Sequence, residues 1–173
     1  VQDRTLLFRK SGAGAARVAT LKWGETLLGF RPMIDATAPV SEVVVLGYDV
    51  KTKKELIGRA GDGDQGVRMG KQSGAALVKS AFGGRSECVV DRDPGSQAEA
   101  AQLAKAVLSR RMRGLVTGSG SSVGTPALKA GVVVELTGLG AALSGPYYIV
   151  RAIHRIGEAG YRTEFSVQRN ALS

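Results

Sequence analysis

From Arg17 onward, apolar and polar residues alternate over short runs separated by turn residues, and a period of two predicts half-buried strands. In Arg17–Trp23 the residues Ala19, Leu21 and Trp23 form an apolar face, opposite Val18, Thr20 and Lys22. Gly24-Glu25 makes a turn, and Leu27–Ile34 resumes an extended pattern. Pro32, which lacks an N–H, places that run on a sheet edge or at a strand end. Ser41–Gly47 is a strong strand; with Tyr48-Asp49-Val50, the turn Lys51–Lys54 and the return Glu55–Gly58 it predicts a β-hairpin with a basic tip. Before these, Thr5–Arg9 is a short strand candidate ended by Ser11-Gly12-Ala13-Gly14.

Toward the C-terminus, Gly114–Thr117, Gly131–Leu136 and Tyr147–Ile156 are further strands, the last followed by the tight turn Gly157-Glu158-Ala159-Gly160. Tyr161–Gln168 closes with clean alternation: Tyr161, Thr163, Phe165 and Val167 face inward, and Arg162, Glu164, Ser166 and Gln168 outward. Between Gly114–Thr117 and Gly131–Leu136, Gly118-Ser119-Gly120-Ser121-Ser122-Val123-Gly124 is expected to be a flexible loop.

One segment follows the period of a helix. Ser96 stands as N-cap with Glu99 three residues later, the pattern of a capping box, and the helix is expected over residues 96–112. Ala100, Leu103, Ala104, Val107, Leu108 and Met112 share its apolar face, and Arg110, Arg111 and Arg113 complement the dipole at its C-terminal end. From Gly61 to Gly95 periodicity disappears, so residues 61–95 are expected to be an insertion or irregular segment. Within it Ala75–Ala81 fits either a helical turn or a strand. Short strands with one packed helix predict a mainly β (α+β) protein: a small antiparallel β-barrel packed with one amphipathic helix, plus a loop-rich insertion.

Composition narrows the picture. The chain has 173 residues, enough for one core, and residues 1–173 are read as one domain. Only 5% are aromatic while 24 are glycine, which points to tight turns and close packing. The net charge of +9 favours an acidic partner of some kind without choosing nucleic acid, membrane or protein. A single cysteine, Cys88, excludes an internal disulfide framework and reads as a buried or bystander thiol. No apolar run approaches the roughly 20 residues that span a bilayer. The chain begins at Val1 without an initiating Met, which predicts a piece of a longer polypeptide.

Candidate chemistry is sparse. Asp62-Gly63-Asp64-Gln65-Gly66 resembles the start of a calcium loop, but Gly66 occupies the third ligand position and no glutamate closes it. The glycine-serine run at 118–124 lacks the Gly-Lys-Ser/Thr ending of a phosphate loop. His154 is the only histidine and has no neighbouring N or S donors in sequence, so it reads as a strand histidine held by hydrogen bonds. Asp91 and Asp93 flank Arg92 and can pair with it locally. No residue earns a catalytic, cofactor-binding or metal-binding assignment, and the chain is expected not to be an enzyme.

One resemblance extends over most of Leu21–Asn170. Pro126-Ala127-Leu128-Lys129-Ala130-Gly131, Leu136-Thr137-Gly138-Leu139-Gly140, Ser144–Val150, His154 and Tyr161–Phe165 follow one another in an order that resembles the end of the hub domain in the phage late control gene D family. That family is related to the VgrG-type spike proteins of type VI secretion and to contractile injection systems. Leu21-Lys22-Trp23-Gly24-Glu25, Phe30-Arg31-Pro32 and Val43–Asp49 through Lys53 resemble its upstream barrel strands. The resemblance implies a structural baseplate hub in a virion tail or phage-like particle, assembled in the bacterial cytoplasm. It implies a homotrimer of two-barrel subunits forming a pseudo-six-fold ring, with a tail tube protein, a central spike protein and other baseplate proteins as partners, and no cofactor, membrane or nucleic acid. The rival reading is a basic β-barrel that binds nucleic acid. It would need Tyr147, Tyr148, Tyr161 and Phe165 exposed for base stacking, whereas at least two of them are expected in the core.

Overall fold

The computed structural model describes residues 4, 15–35, 40–90, 93–158 and 160–173. In chain order the elements are β1 (Arg17–Lys22), β2 (Leu27–Ile34), β3 (Glu42–Asp49), β4 (Lys54–Ala60), β5 (Gln72–Ser73), α1 (Gly74–Phe82), β6 (Ser86–Val89), α2 (Gln97–Arg113), β7 (Val116–Val123), β8 (Val133–Thr137), β9 (Gly145–Gly157), β10 (Gly160–Arg169) and β11 (Ala171–Leu172). The expected strand at Thr5–Arg9, its glycine-rich ending, and the residues Asp91, Arg92 and Ala159 lie outside the described residues.

Six strands form one curled sheet in the order β1-β8-β9-β10-β7-β2. Neighbours are antiparallel except β1 and β8, which run parallel. The sheet curls until its two edges meet: Trp23 bridges to Leu27, and the Gly24 N–H reaches the Leu27 carbonyl at 3.1 Å. Its interior holds Leu21, Leu27, Val134, Leu136, Tyr147, Ile149, Phe165 and Val167, each almost fully buried. Phe165, Val167 and Thr163 face inward as the alternation requires, and Tyr161 is half-buried at the mouth. Trp23 departs from its expected face. It sits where β1 gives way to the turn and is 48% exposed.

The glycine-serine run is not a flexible loop: it is β7, hydrogen-bonded between β10 and β2. The residues are small because rings fill the space above them. A side chain at Gly118 would meet the Phe30 ring at 2.8 Å, and one at Gly120 the Phe165 ring at 2.7 Å. Aromatic residues on the neighbouring strands thus cover the bare backbone, a known remedy for glycine in a sheet. A run with the composition of a linker is therefore an interior strand.

Residues 35–115 interrupt this sheet between two strands that are neighbours in it, β2 and β7. They build a second layer in which β4, β3 and β6 form a three-stranded sheet, β6 parallel to β3. The hairpin expected among the barrel strands belongs here, and α2 packs on its face rather than inside the barrel. Val43, Val45 and Ala60 from the strands meet Ala104, Leu108 and Met112 from the helix, with Leu103 and Val107 beside them. The loop-rich span 61–95 contains both α1 and β6, and Ala75–Ala81 is helical. Ser73 caps α1 through Ala76 N–H, and Gly83 ends it in the left-handed region at φ 73°.

The N-terminal end of α2 follows the sequence. The Ser96 hydroxyl accepts the Glu99 N–H at 3.2 Å, and the Glu99 carboxylate accepts the Gly95 N–H at 2.9 Å, one residue before the cap. Gln97 closes the open edge of β4 by binding the Ile57 carbonyl at 2.6 Å and its N–H at 3.1 Å. At Ile57 the edge of β4 is thereby blocked to pairing with another strand.

The two layers are stitched at the C-terminus. Ala171 and Leu172 pair with Ser73 and Gln72, and Asn170 bonds Met69 N–H at 3.0 Å and the Val67 carbonyl at 2.8 Å. Arg169, 1% exposed, donates to the carbonyls of Met69 (2.6 Å) and Ser144 (3.2 Å) and to the Ser173 hydroxyl, and lies 5.1 Å from the Tyr147 ring centroid.

Candidate assembly surface

The outer face of the curled sheet is shaped by the same small residues. Register across β2, β7, β10 and β9 aligns Arg31, Ser119, Ser166 and Arg151 in one row, and Gly29, Ser121, Glu164 and Ile153 in the next. Ser119 and Ser166 in the middle of the first row and Gly29 and Ser121 in the second leave an open trough of about 620 Å³, with Trp23 on its rim. Arg31 and Arg151 have no partner among the described residues, whereas Glu164 is paired with Arg155 at 2.9 Å. A wide, shallow, basic-edged trough cannot enclose a small substrate; its shape and charge suit another protein surface.

The β9–β10 hairpin projects beyond β8, which pairs only with Gly145–Tyr148. Ile156 near its tip is 84% exposed. His154 anchors the hairpin: its Nε2 donates to the Leu128 carbonyl at 2.9 Å, and its Nδ1 accepts from the hydroxyls of Tyr161 (2.8 Å) and Thr163 (3.2 Å). The Thr163 hydroxyl also accepts the Thr125 N–H at 3.0 Å, so the loop after β7 is fastened to the same point. The ring is thus spent on architecture.

Other residues singled out in the sequence fall to separate places. Asp62 accepts the Ser73 hydroxyl at 2.6 Å and pairs with Arg68, and Asp64 pairs with Lys105 at 3.0 Å. Both carboxylates tie the loop to the helices, and no group of three or more His, Cys, Asp or Glu side chains gathers among the described residues. Cys88 lies exposed on β6 and so is not the buried thiol that was one of its two readings. At the lysine-tipped hairpin Asp49 accepts from Lys51 N–H, Thr52 N–H and the Thr52 hydroxyl, and these hydrogen bonds, the hydroxyl foremost, hold its carboxyl below the ordinary value. Among the described residues no helix is long and apolar enough to cross a membrane.

Two ion pairs brace α2. Arg111 grips Glu87 of β6 through two hydrogen bonds of 2.8 and 2.6 Å, which lower the Glu87 carboxyl below its ordinary 4.5; Lys105 does the same to Asp64, below 3.8. A carboxyl whose value is depressed by folding adds stability above its unfolded value and loses it as pH falls through the folded one. The melting temperature is therefore expected to drop as pH falls from about 5 to 3. Glu87→Gln should remove about 1 kcal/mol or less of that dependence, since the pair is half-exposed. Differential scanning calorimetry across this range checks it; an unchanged pH slope in the variant would count against the brace.

No curated protein matches the sequence. The fold, a curled sheet interrupted by an α/β layer, is shared with solved structures at low identity. One is the 43 kDa tail protein of prophage MuSo2 from Shewanella oneidensis, at TM-score 0.65 and 14% identity, the alignment covering 92% of this chain and 46% of that one. Another is the tail protein from Neisseria meningitidis MC58, at TM-score 0.62 and 16% identity, covering 91% and 45%. The chain thus spans less than half the length of either. In sequence, the family model described as the Alg8 N-terminal domain matches residues 1–158. The chain belongs to that family.

Proposed function

We propose that the chain is a non-enzymatic, structural unit of a contractile-tail hub of the late control gene D kind, part of a longer polypeptide and resident in a virion tail or phage-like particle. What supports this most is the fold shared over nine-tenths of the chain with two proteins described as tail proteins. Coverage of under half of each relative agrees with a subunit built from two such units, of which this is one. In that reading three subunits form a pseudo-six-fold ring joining tail tube to spike, and the trough and projecting hairpin meet neighbouring proteins.

Light scattering coupled to size exclusion on the full-length polypeptide tests the ring. A trimer is expected at micromolar concentration, and a monomer there would overturn it. A nucleic-acid role has one observation in its favour, Tyr48 half-exposed on the lysine-tipped hairpin. Against it, Tyr147 and Phe165 are buried in the sheet interior, where they cannot stack on bases. A gel shift with single-stranded DNA at low salt separates the readings, and no retardation is expected.

A further inference from the structure

The trough on the outer face of the curled sheet has a floor and flanks of different character. Its floor is made by Ser119 and Ser121 of β7, Ser166 of β10 and Gly29 of β2. The flanks carry Arg31 on β2 and Arg151 on β9, both exposed and neither paired with an acid among the described residues. Glu164, the one carboxylate in the lining, is already held by Arg155 at 2.9 Å. The face is therefore positive, and Trp23 adds an uncovered ring at its rim.

Two properties select the occupant. Charge calls for an acid, and a second copy of this chain, itself at +9, opposes two free guanidinium groups rather than meeting them. The polar floor calls for open main chain. A helix satisfies its own N–H and C=O groups and packs through an apolar stripe, whereas an extended segment leaves those groups to be satisfied from outside. Serine hydroxyls donate and accept, so Ser119 and Ser166 can serve either group. The spacing agrees. Arg31, Ser119, Ser166 and Arg151 lie in register on neighbouring strands, which sets the two arginine Cα atoms about 14 Å apart. In an extended chain, side chains four residues apart share a face and are separated by about 13 Å.

We propose that the trough seats an extended acidic segment of another protein, laid across the strands with carboxylates four residues apart on Arg31 and Arg151. This names the partner chemistry of the assembly surface and rests on reading that face as one.

Trp23 is the single tryptophan of the chain, so its fluorescence reports on the trough itself. A titration at low ionic strength uses the blocked peptide Ala-Glu-Ser-Ser-Ser-Glu-Ala, its glutamine counterpart, and Ala-Ser-Glu-Ser-Glu-Ser-Ala, which keeps the charge but sets the glutamates two residues apart. An exposed guanidinium–carboxylate pair is worth up to about fivefold in affinity. The first peptide is therefore expected to bind about tenfold more tightly than the glutamine form and about threefold more tightly than the third. Arg31→Gln and Arg151→Gln should each weaken it about threefold and leave the glutamine form unchanged, while Lys51→Gln, on the hairpin of the other layer, changes neither. Both arginines are exposed, so these variants are expected to keep the parent circular dichroism. Equal affinity for the three peptides, parent-like binding by both arginine variants, or no fluorescence change at millimolar peptide overturns the proposal. So does tighter binding of an oligothymidylate that the same two variants abolish, which makes the trough a nucleic-acid site. Light scattering keeps the hub reading separate: a full-length trimer whose trough ignores the peptides sinks this proposal alone, and a full-length monomer whose trough binds them sinks the ring alone.

Discussion

Gly58→Ala is expected to destabilise the protein by about 2–3 kcal/mol, the upper range for overpacking a tight contact. The added methyl would stand 2.0 Å from the Ala100 carbonyl oxygen and 2.2 Å from its carbon, both backbone atoms of α2 that no rotamer change can move aside. The helix would have to lift from β4, opening the contacts of Leu108 and Ala104 with Val43 and Val45. It would also pull Gln97 from Ile57, exposing the edge of β4. Urea denaturation measures the loss. Gly61→Ala, just past the same strand, is the control: its nearest foreign atom is 3.8 Å away, so it should stay within about 0.5 kcal/mol of the parent. If Gly58→Ala were equally mild, the packing of α2 on β4 described above would be wrong.

Arg169→Met should cost about 3 kcal/mol or more. Methionine fills some of the space, but the carbonyls of Met69 and Ser144 lose their donor in a buried setting, and each such loss costs about 1–3 kcal/mol. Damage should concentrate where Arg169 joins the layers, so amide hydrogen exchange is expected to accelerate first at residues 69–73 and 171–173. A second readout belongs to Tyr147. Burial raises its hydroxyl above the ordinary 10.0 while Arg169 pulls it back, so the variant should titrate higher still in ultraviolet absorbance. A Tyr147 titration that does not move would contradict the contact between guanidinium and ring.

How far the sequence reveals this fold depends on whether local pattern or distant contact decides each element. The period and cap of α2 are local, and so is the alternation of β10; both are legible residue by residue. Carried one step further, that alternation already places Arg169 on the inward face with Phe165 and Val167, a signal obscured by the habit of keeping charge outside. β7 is the opposite case. Its glycines and serines have no strand propensity, and what makes them a strand is the Phe30 and Phe165 rings brought by β2 and β10. The β3–β4 hairpin reads as a hairpin, but its sheet is set by parallel pairing with β6, about forty residues away. The candidate surfaces were less legible still. The trough depends on cross-strand register, which leaves no motif.

The placement of residues 35–115 bears on how the chain finds its fold. Pairing β2 with β7 closes the loop formed by residues 35–115, and the entropic cost of such closure grows only slowly with length. If the α/β layer condenses first from its shorter-range contacts, it brings Asp35 and Leu115 together, where the Asp35 N–H meets the Leu115 carbonyl at 3.0 Å. The remaining sheet then closes as though joined by a short turn. In that order of events the layer is the nucleus for the barrel, and destabilising changes in α2 are expected to slow refolding, measured by stopped flow, more than changes in β1 or β8.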